Sequence, residues 1–240
     1  MSRDLVLVAG ASSDIGGALI RRLLAAGDAQ IVAHCHAGAD RIAKHDRVQT
    51  VSADFASTES VGQMADRIVN DIGVPDQVVY LPGLPLRYER FTKFDLAHFD
   101  RDLDIQVRSA IALLRRLLPQ MAKKPRARIV FVVSSVTRGA PPKFMSMYTI
   151  VKHAQLGLMR ALAAEYAATG VTVNAVSPAM VETRFLDEIP GIAKEMAATA
   201  APRGRLATPD DVVGAIQFLL SPDSDFVTGI EVPVTGGNGF

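Results

Sequence analysis

Cysteine is almost missing. Cys35 is the single one among 240 residues, which rules out an intramolecular disulfide and a Cys-based zinc site. An excess of one charge sign is also missing: 26 Lys and Arg stand against 25 Asp and Glu, for a formal net charge of +1. A nucleic-acid binder normally shows a basic face or tail, and this balance offers neither. No apolar run approaches the ~18 residues of a membrane span. Met1-Ser2-Arg3-Asp4 precedes no signal-peptide core, because Leu5–Ala9 is too short and runs into a glycine turn. Internal repeats, Ser/Gly linkers and composition shifts are absent as well. With 49% hydrophobic and 21% charged residues, the chain is neither disordered nor of low complexity. The expectation is a soluble, cytoplasmic globular protein with no nucleic-acid or membrane partner and no bound metal.

Short apolar runs alternate with longer amphipathic ones. Leu5–Ala9, Gln30–His34, Val48–Val51, Gln77–Leu81, Arg128–Val133, Val171–Val176 and Ile230–Val234 read as strands that are apolar on both faces. Helical periodicity covers Ile15–Ala26, Thr58–Ile72, Asp95–Met121, Met147–Ala168 and Pro209–Leu220. Thr208-Pro209-Asp210-Asp211 carries a cap residue, a first-turn proline and carboxylates at the positive end of the helix dipole. Such alternation predicts an α/β fold: one Rossmann-type, doubly wound parallel sheet of about seven strands with helices on both faces. A single domain over residues 1–240 follows, with a cofactor half to about 125 and a catalytic and substrate half from about 126.

The first strand enters Gly10-Ala11-Ser12-Ser13-Asp14-Ile15-Gly16. In a doubly wound sheet this turn is where a dinucleotide pyrophosphate meets a helix N-terminus, although an ordinary strand-to-helix turn has the same outline. Gly10 permits the tight turn and Gly16 the close packing of helix on strand. Further along, Ser135 stands thirteen residues before Tyr148, and Lys152 follows Tyr148 at i+4, on the same helix face. A cation beside a phenol favours phenolate and would lower the ordinary tyrosine pKa of about 10.

With the glycine turn, Asp54, Ser135, Tyr148, Lys152, Asn174-Ala175-Val176-Ser177-Pro178, Gly204–Val212 and Val227-Thr228-Gly229 in this order, the chain resembles the short-chain dehydrogenase/reductase family from end to end. The likeness is greatest to its 3-oxoacyl-carrier-protein reductase branch. That resemblance implies NADPH-dependent reduction of a carbonyl to an alcohol, with a 3-oxoacyl thioester carried by a carrier protein or coenzyme A as the substrate. Tyr148 would be the proton donor. Lys152 would lower its pKa and hold the nicotinamide ribose, and Ser135 would orient the carbonyl. Asp54 would meet the adenine, while Pro178 and Thr183 would meet the nicotinamide. Gln106 stands where the family places an asparagine whose backbone holds a water leading from the lysine to solvent. A homotetramer or homodimer built on the long helices and the C-terminal strand is implied too.

Two departures stand out. Asp14 replaces the middle glycine of the turn, and is expected to point outward and cap the helix. Tyr80-Leu81-Pro82-Gly83 replaces an Asn-Asn-Ala-Gly segment, so Gly83 survives and the amide side chains do not. The second strand ends His34-Cys35-His36-Ala37-Gly38 without the acid that takes the ribose hydroxyls of NAD, which favours NADP(H) over NAD(H). His36, Ser12, Ser13 and Arg41 are the candidate phosphate contacts; metal binding by His34 and His36 is the other reading of that pair. Lys123, Lys124, Arg126 and Arg128 either complement a helix end or dock an acidic carrier protein. Phe185–Ala201 reads as an apolar lid opposite a Pro141-Pro142 loop. Two other functions stay open: another short-chain alcohol or ketone dehydrogenase, or a weakly active or non-catalytic NADP(H)-binding partner subunit.

Overall fold

The computed structural model describes residues 4–238, so Met1–Arg3 of the leader reading lie outside it. Seven strands form one sheet: β1 (Leu5–Ala9), β2 (Gln30–Cys35), β3 (Val48–Ser52), β4 (Gln77–Tyr80), β5 (Ala127–Val132), β6 (Val171–Pro178) and β7 (Glu231–Val234). Their order is β3-β2-β1-β4-β5-β6-β7, and every pairing is parallel. The chain therefore winds outward in both directions from β1 and β4, leaving a crevice at the carboxyl ends of those strands.

The helices are α1 (Asp14–Ala26), α2 (Thr58–Arg67), α3 (Leu96–Leu103), α4 (Ser109–Met121), α5 (Ser146–Glu165), α6 (Gly191–Ala200) and α7 (Pro209–Leu220). Because successive strand residues point to opposite faces, β1 divides between two cores. Leu7 joins Val78, Ile129 and Leu113 beneath α2, α4 and α5, whereas Val6 and Val8 join Ile20, Val130 and Ile216 beneath α1 and α7. Each face is thus sealed by its own layer, which is why the strands read as apolar throughout.

Three local features refine the sequence expectation. The helix predicted over Asp95–Met121 is interrupted by a π turn at Asp104–Arg108, a widening of the helical ladder that recurs at functional sites. Phe185–Ala201 contains α6, whose residues are not fully buried; Leu186 and Ile189, just before it, anchor the segment. The start of α7 has both halves of a capping box, as the Thr208–Asp211 pattern predicts.

Candidate active site

A cavity of about 750 Å³ opens along the carboxyl ends of the strands, from the β1–α1 turn to the N-terminal part of α5. That size is ordinary for an organic ligand or cofactor site. At one end Gly10 has φ +80°, a left-handed conformation that side chains rarely adopt. A Cβ on Gly16 would lie 2.7 Å from the Gly10 carbonyl oxygen and 2.8 Å from that of Ala11, so only glycine lets α1 begin this close to the turn. Ser13 caps α1 by accepting from the Gly16 N–H at 3.0 Å. The exposed N–H groups of a helix start, set at a cavity wall, suit the pyrophosphate of a dinucleotide.

Asp14 does not cap the helix. Its carboxylate accepts from the Arg184 backbone N–H at 2.8 Å and from Arg184 Nε at 2.9 Å, while the same guanidinium donates to the Ser12 carbonyl at 2.9 Å. Although partial burial alone would raise it, these bonds hold the Asp14 pKa below the usual carboxylate range. The unfavourable charge expected beside a pyrophosphate is met by a cation from the segment before α6.

His34 serves structure. Gly10 N–H donates to its Nδ1 at 3.2 Å, its Nε2 donates to the Ala53 carbonyl at 3.1 Å, and its ring stacks on Phe55. Both nitrogens are committed, which removes it from the metal-pair reading; burial lowers its pKa to about 4 and keeps it neutral. His36 and Asp54 face each other across 3.9 Å on the cavity wall, with Ser12 and Arg41 along the same wall.

At the other end lie Tyr148, Lys152 and two serines. Burial raises the Tyr148 pKa, a hydrogen bond with the Ser134 side chain works against that rise, and the Asp102 carboxylate adds to it. The expected lowering by Lys152 is therefore not what this arrangement produces. The Lys152 ammonium turns instead to the Val132 carbonyl at 3.2 Å and to Gln155 Oε1 at 3.0 Å. Its own pKa falls to about 8, because burial outweighs the pull of Asp102. Tyr148 is held as a neutral phenol, the form that gives a proton away.

Ser134 and Ser135, just after β5, both line the cavity; the Ser134 hydroxyl accepts from the Val136 N–H and caps the turn at Ser135–Thr137. Ile15, Gly83, Pro178 and Thr183 also line the cavity. Gln106 and Gly16 stay just outside the lining.

The Tyr80–Gly83 substitution has a structural counterpart. The buried Tyr80 hydroxyl donates to the Ile105 carbonyl at 2.7 Å and lies 2.5 Å from Ser109 Oγ, tying β4 to the π turn. A Cβ on Gly83 would sit 3.4 Å from the Gln106 carboxamide, so the loop packs directly on that side chain. Gln106, fully buried, donates to Asp102 at 2.6 Å, and its backbone carbonyl accepts from Gln155 at 2.9 Å.

The basic cluster after α4 is engaged internally. Lys124 bonds the Val74 carbonyl at 2.7 Å and Asp76 at 2.6 Å; Arg128 is buried and paired with Asp225; Arg126 lies 3.7 Å from Asp4. Arg128 is also near the start of β5, whereas the cavity opens at the opposite ends of the strands. This cluster does not suit docking of a carrier whose cargo must reach the cavity.

Residues 10–238 match the family model described as enoyl-(acyl carrier protein) reductase. An acetoacetyl-CoA reductase of Allochromatium vinosum is 30% identical, with 97% of each chain covered. A cis-4-hydroxycyclohexanecarboxylate dehydrogenase of Sinomonas cyclohexanicum is 31% identical over 97% of this chain and 95% of its own. Among solved structures, a 3-ketoacyl-(acyl-carrier-protein) reductase of Brucella melitensis complexed with NADH superposes with a TM-score of 0.89 at 27% identity, covering 99% and 98% of the two chains.

Proposed function

Because this chain belongs to the short-chain dehydrogenase/reductase family, whose members are oxidoreductases that bind a nicotinamide cofactor, we propose that it reduces the 3-oxo group of an acyl thioester with NADPH. One observation carries the reading. The cavity that starts at a glycine-shaped helix N-terminus ends at a half-buried phenol beside two serines and a buried ammonium.

When bound, the nicotinamide supplies the hydride. Ser135, with Ser134 alongside, holds the carbonyl oxygen by hydrogen bonding, and Tyr148 delivers its phenolic proton to the oxygen as negative charge develops there. Lys152 offsets the resulting phenolate and meets the ribose. Gly10, Ser12, Ser13 and the start of α1 hold the pyrophosphate, and Asp54 takes the adenine. NADP(H) preference is supported by the lack of an acid at the end of β2 and by His36 and Arg41 on the cavity wall. Leu86, Met145, Phe185 and Leu186 line the substrate end, which favours an apolar acyl chain. Self-association is part of the same reading, supported by exposed Ile111, Ile150, Phe218 and Phe226 on the long helices and near β7.

The test is loss of NADPH absorbance against 3-oxoacyl thioesters, enoyl thioesters and simple ketones, repeated with NADH. Turnover highest on 3-oxoacyl thioesters is expected, and turnover confined to enoyl thioesters or to simple ketones overturns the substrate assignment. Tyr148→Phe should lower kcat by ~100-fold or more while leaving NADPH binding nearly intact. Ser135→Ala is expected to cost more activity than Ser134→Ala, and the reverse order passes the role to Ser134. NADPH binding without turnover on any substrate would point to a non-catalytic partner subunit.

A further inference from the structure

We propose that Gln155 is a positioning residue, whose carboxamide bridges the Lys152 ammonium directly to the main-chain carbonyl of Gln106. The inference rests on the reductase reading, since it assigns Gln155 a part in the same chemistry.

Gln155 lies on the face of α5 that it shares with Val151, Leu156 and Met159, all buried. An apolar residue is what that face calls for. A glutamine with no exposed surface must instead find partners for both ends of its amide, or lose the bonds it had in water. It finds two: Oε1 accepts from Lys152 Nζ at 3.0 Å, and Nε2 donates to the Gln106 carbonyl at 2.9 Å. Behind that carbonyl, the Gln106 side chain donates to the buried Asp102 carboxylate at 2.6 Å. One continuous polar path thus runs from α5 through the π turn into α3. The charged and titratable groups that face Lys152 are Tyr148, one turn earlier on α5, and Asp102 from α3; β5 contributes only the Val132 carbonyl.

The bridge has a chemical consequence. A neutral amide oxygen stabilises an ammonium that it accepts from, and it sets the direction in which that ammonium points. Burial already weakens the hold of Lys152 on its proton, with a pKa near 8. Gln155 keeps the lysine charged and in place at neutral pH, where Tyr148 needs a cation to offset phenolate.

Two variants move the lysine in opposite directions. Gln155→Leu removes the acceptor, so Lys152 loses its proton at lower pH and the alkaline fall of kcat/KM shifts down by about one pH unit. Its kcat at neutral pH should drop ~10-fold, with a smaller change in KM. Gln155→Glu supplies a carboxylate and shifts the same fall upward by about one pH unit. A merely structural glutamine would give no such opposed displacement. NADPH fluorescence titrations across the same pH range should show the same two shifts without turnover, and urea unfolding checks that each variant is folded. An unmoved fall in both variants, or movement in one common direction, overturns the inference. Should the leucine variant not fold, the glutamate variant decides it: an upward shift supports the bridge and an unmoved profile rejects it. If the parent enzyme turns over no substrate, the reductase reading fails while the binding titrations still test Gln155.

Discussion

Asp14 illustrates how a single position can contradict its local context. A carboxylate in a turn expected to hold a pyrophosphate is electrostatically unfavourable, and nothing nearby in the chain offsets it. The correction comes from Arg184, 170 residues away, through two bonds to the carboxylate and one to the turn. Removing only the cation should therefore harm more than removing both charges. Arg184→Ala is expected to weaken NADPH binding ~10-fold or more, whereas Asp14→Gly combined with Arg184→Ala should recover most of that loss. Fluorescence titration of the two single variants and the double variant measures the coupling, and purely additive effects would dismiss the pair. His34 shows the reverse case, a side chain that looks chemical and is structural. Its neutral ring ties the glycine turn to the end of β3, a role that no spacing pattern reveals.

The helices divide by how local their determinants are. α7 begins where Thr208 and Asp211 satisfy each other's backbone donors, and Arg205 pairs with Asp211 at 2.6 Å. All these partners lie within seven residues, so the start was readable to the residue. Thr208→Ala should cost about 1 kcal/mol of stability, measured by urea unfolding. Asp211 is held well below the usual carboxylate pKa, mainly by Arg205 and then by Thr208. Its folded pKa lies under its unfolded one, so its contribution is present above about pH 4 and fades as the pH falls below that. Asp211→Asn should flatten this acid loss, and an unchanged acid profile would count against the assignment. The π turn and α6 were not readable in the same way. The first interrupts a periodicity that continues on both sides of it, and α6 has no buried residue to establish one.

At the scale of the molecule, the large cavity lies at the carboxyl ends of the strands, with the cations after α4 at the far end of the sheet. Pro142 of the Pro141-Pro142 loop and Ala197 of α6 both line the cavity. Several copies are expected to associate, because Phe226 and Ile230 lead into the open edge strand β7 and Ile111 and Ile150 project from α4 and α5. Sedimentation velocity should give the mass of two or four chains, and a monomer at micromolar concentration would refute this. The fold itself was legible before any coordinates: strand composition, helix periodicity and caps act over a few residues, and their alternation leaves the doubly wound sheet as the arrangement that buries both faces. The pairing of Tyr148 with Lys152 was legible for the same reason, being one helical turn. Three other features depend on packing between segments separated in the chain: Arg184 at Asp14, Tyr80 on the π turn, and Gln155 between Lys152 and Gln106. Local pattern says which side chains are buried or polar, but only the closed tertiary structure chooses which of them meet.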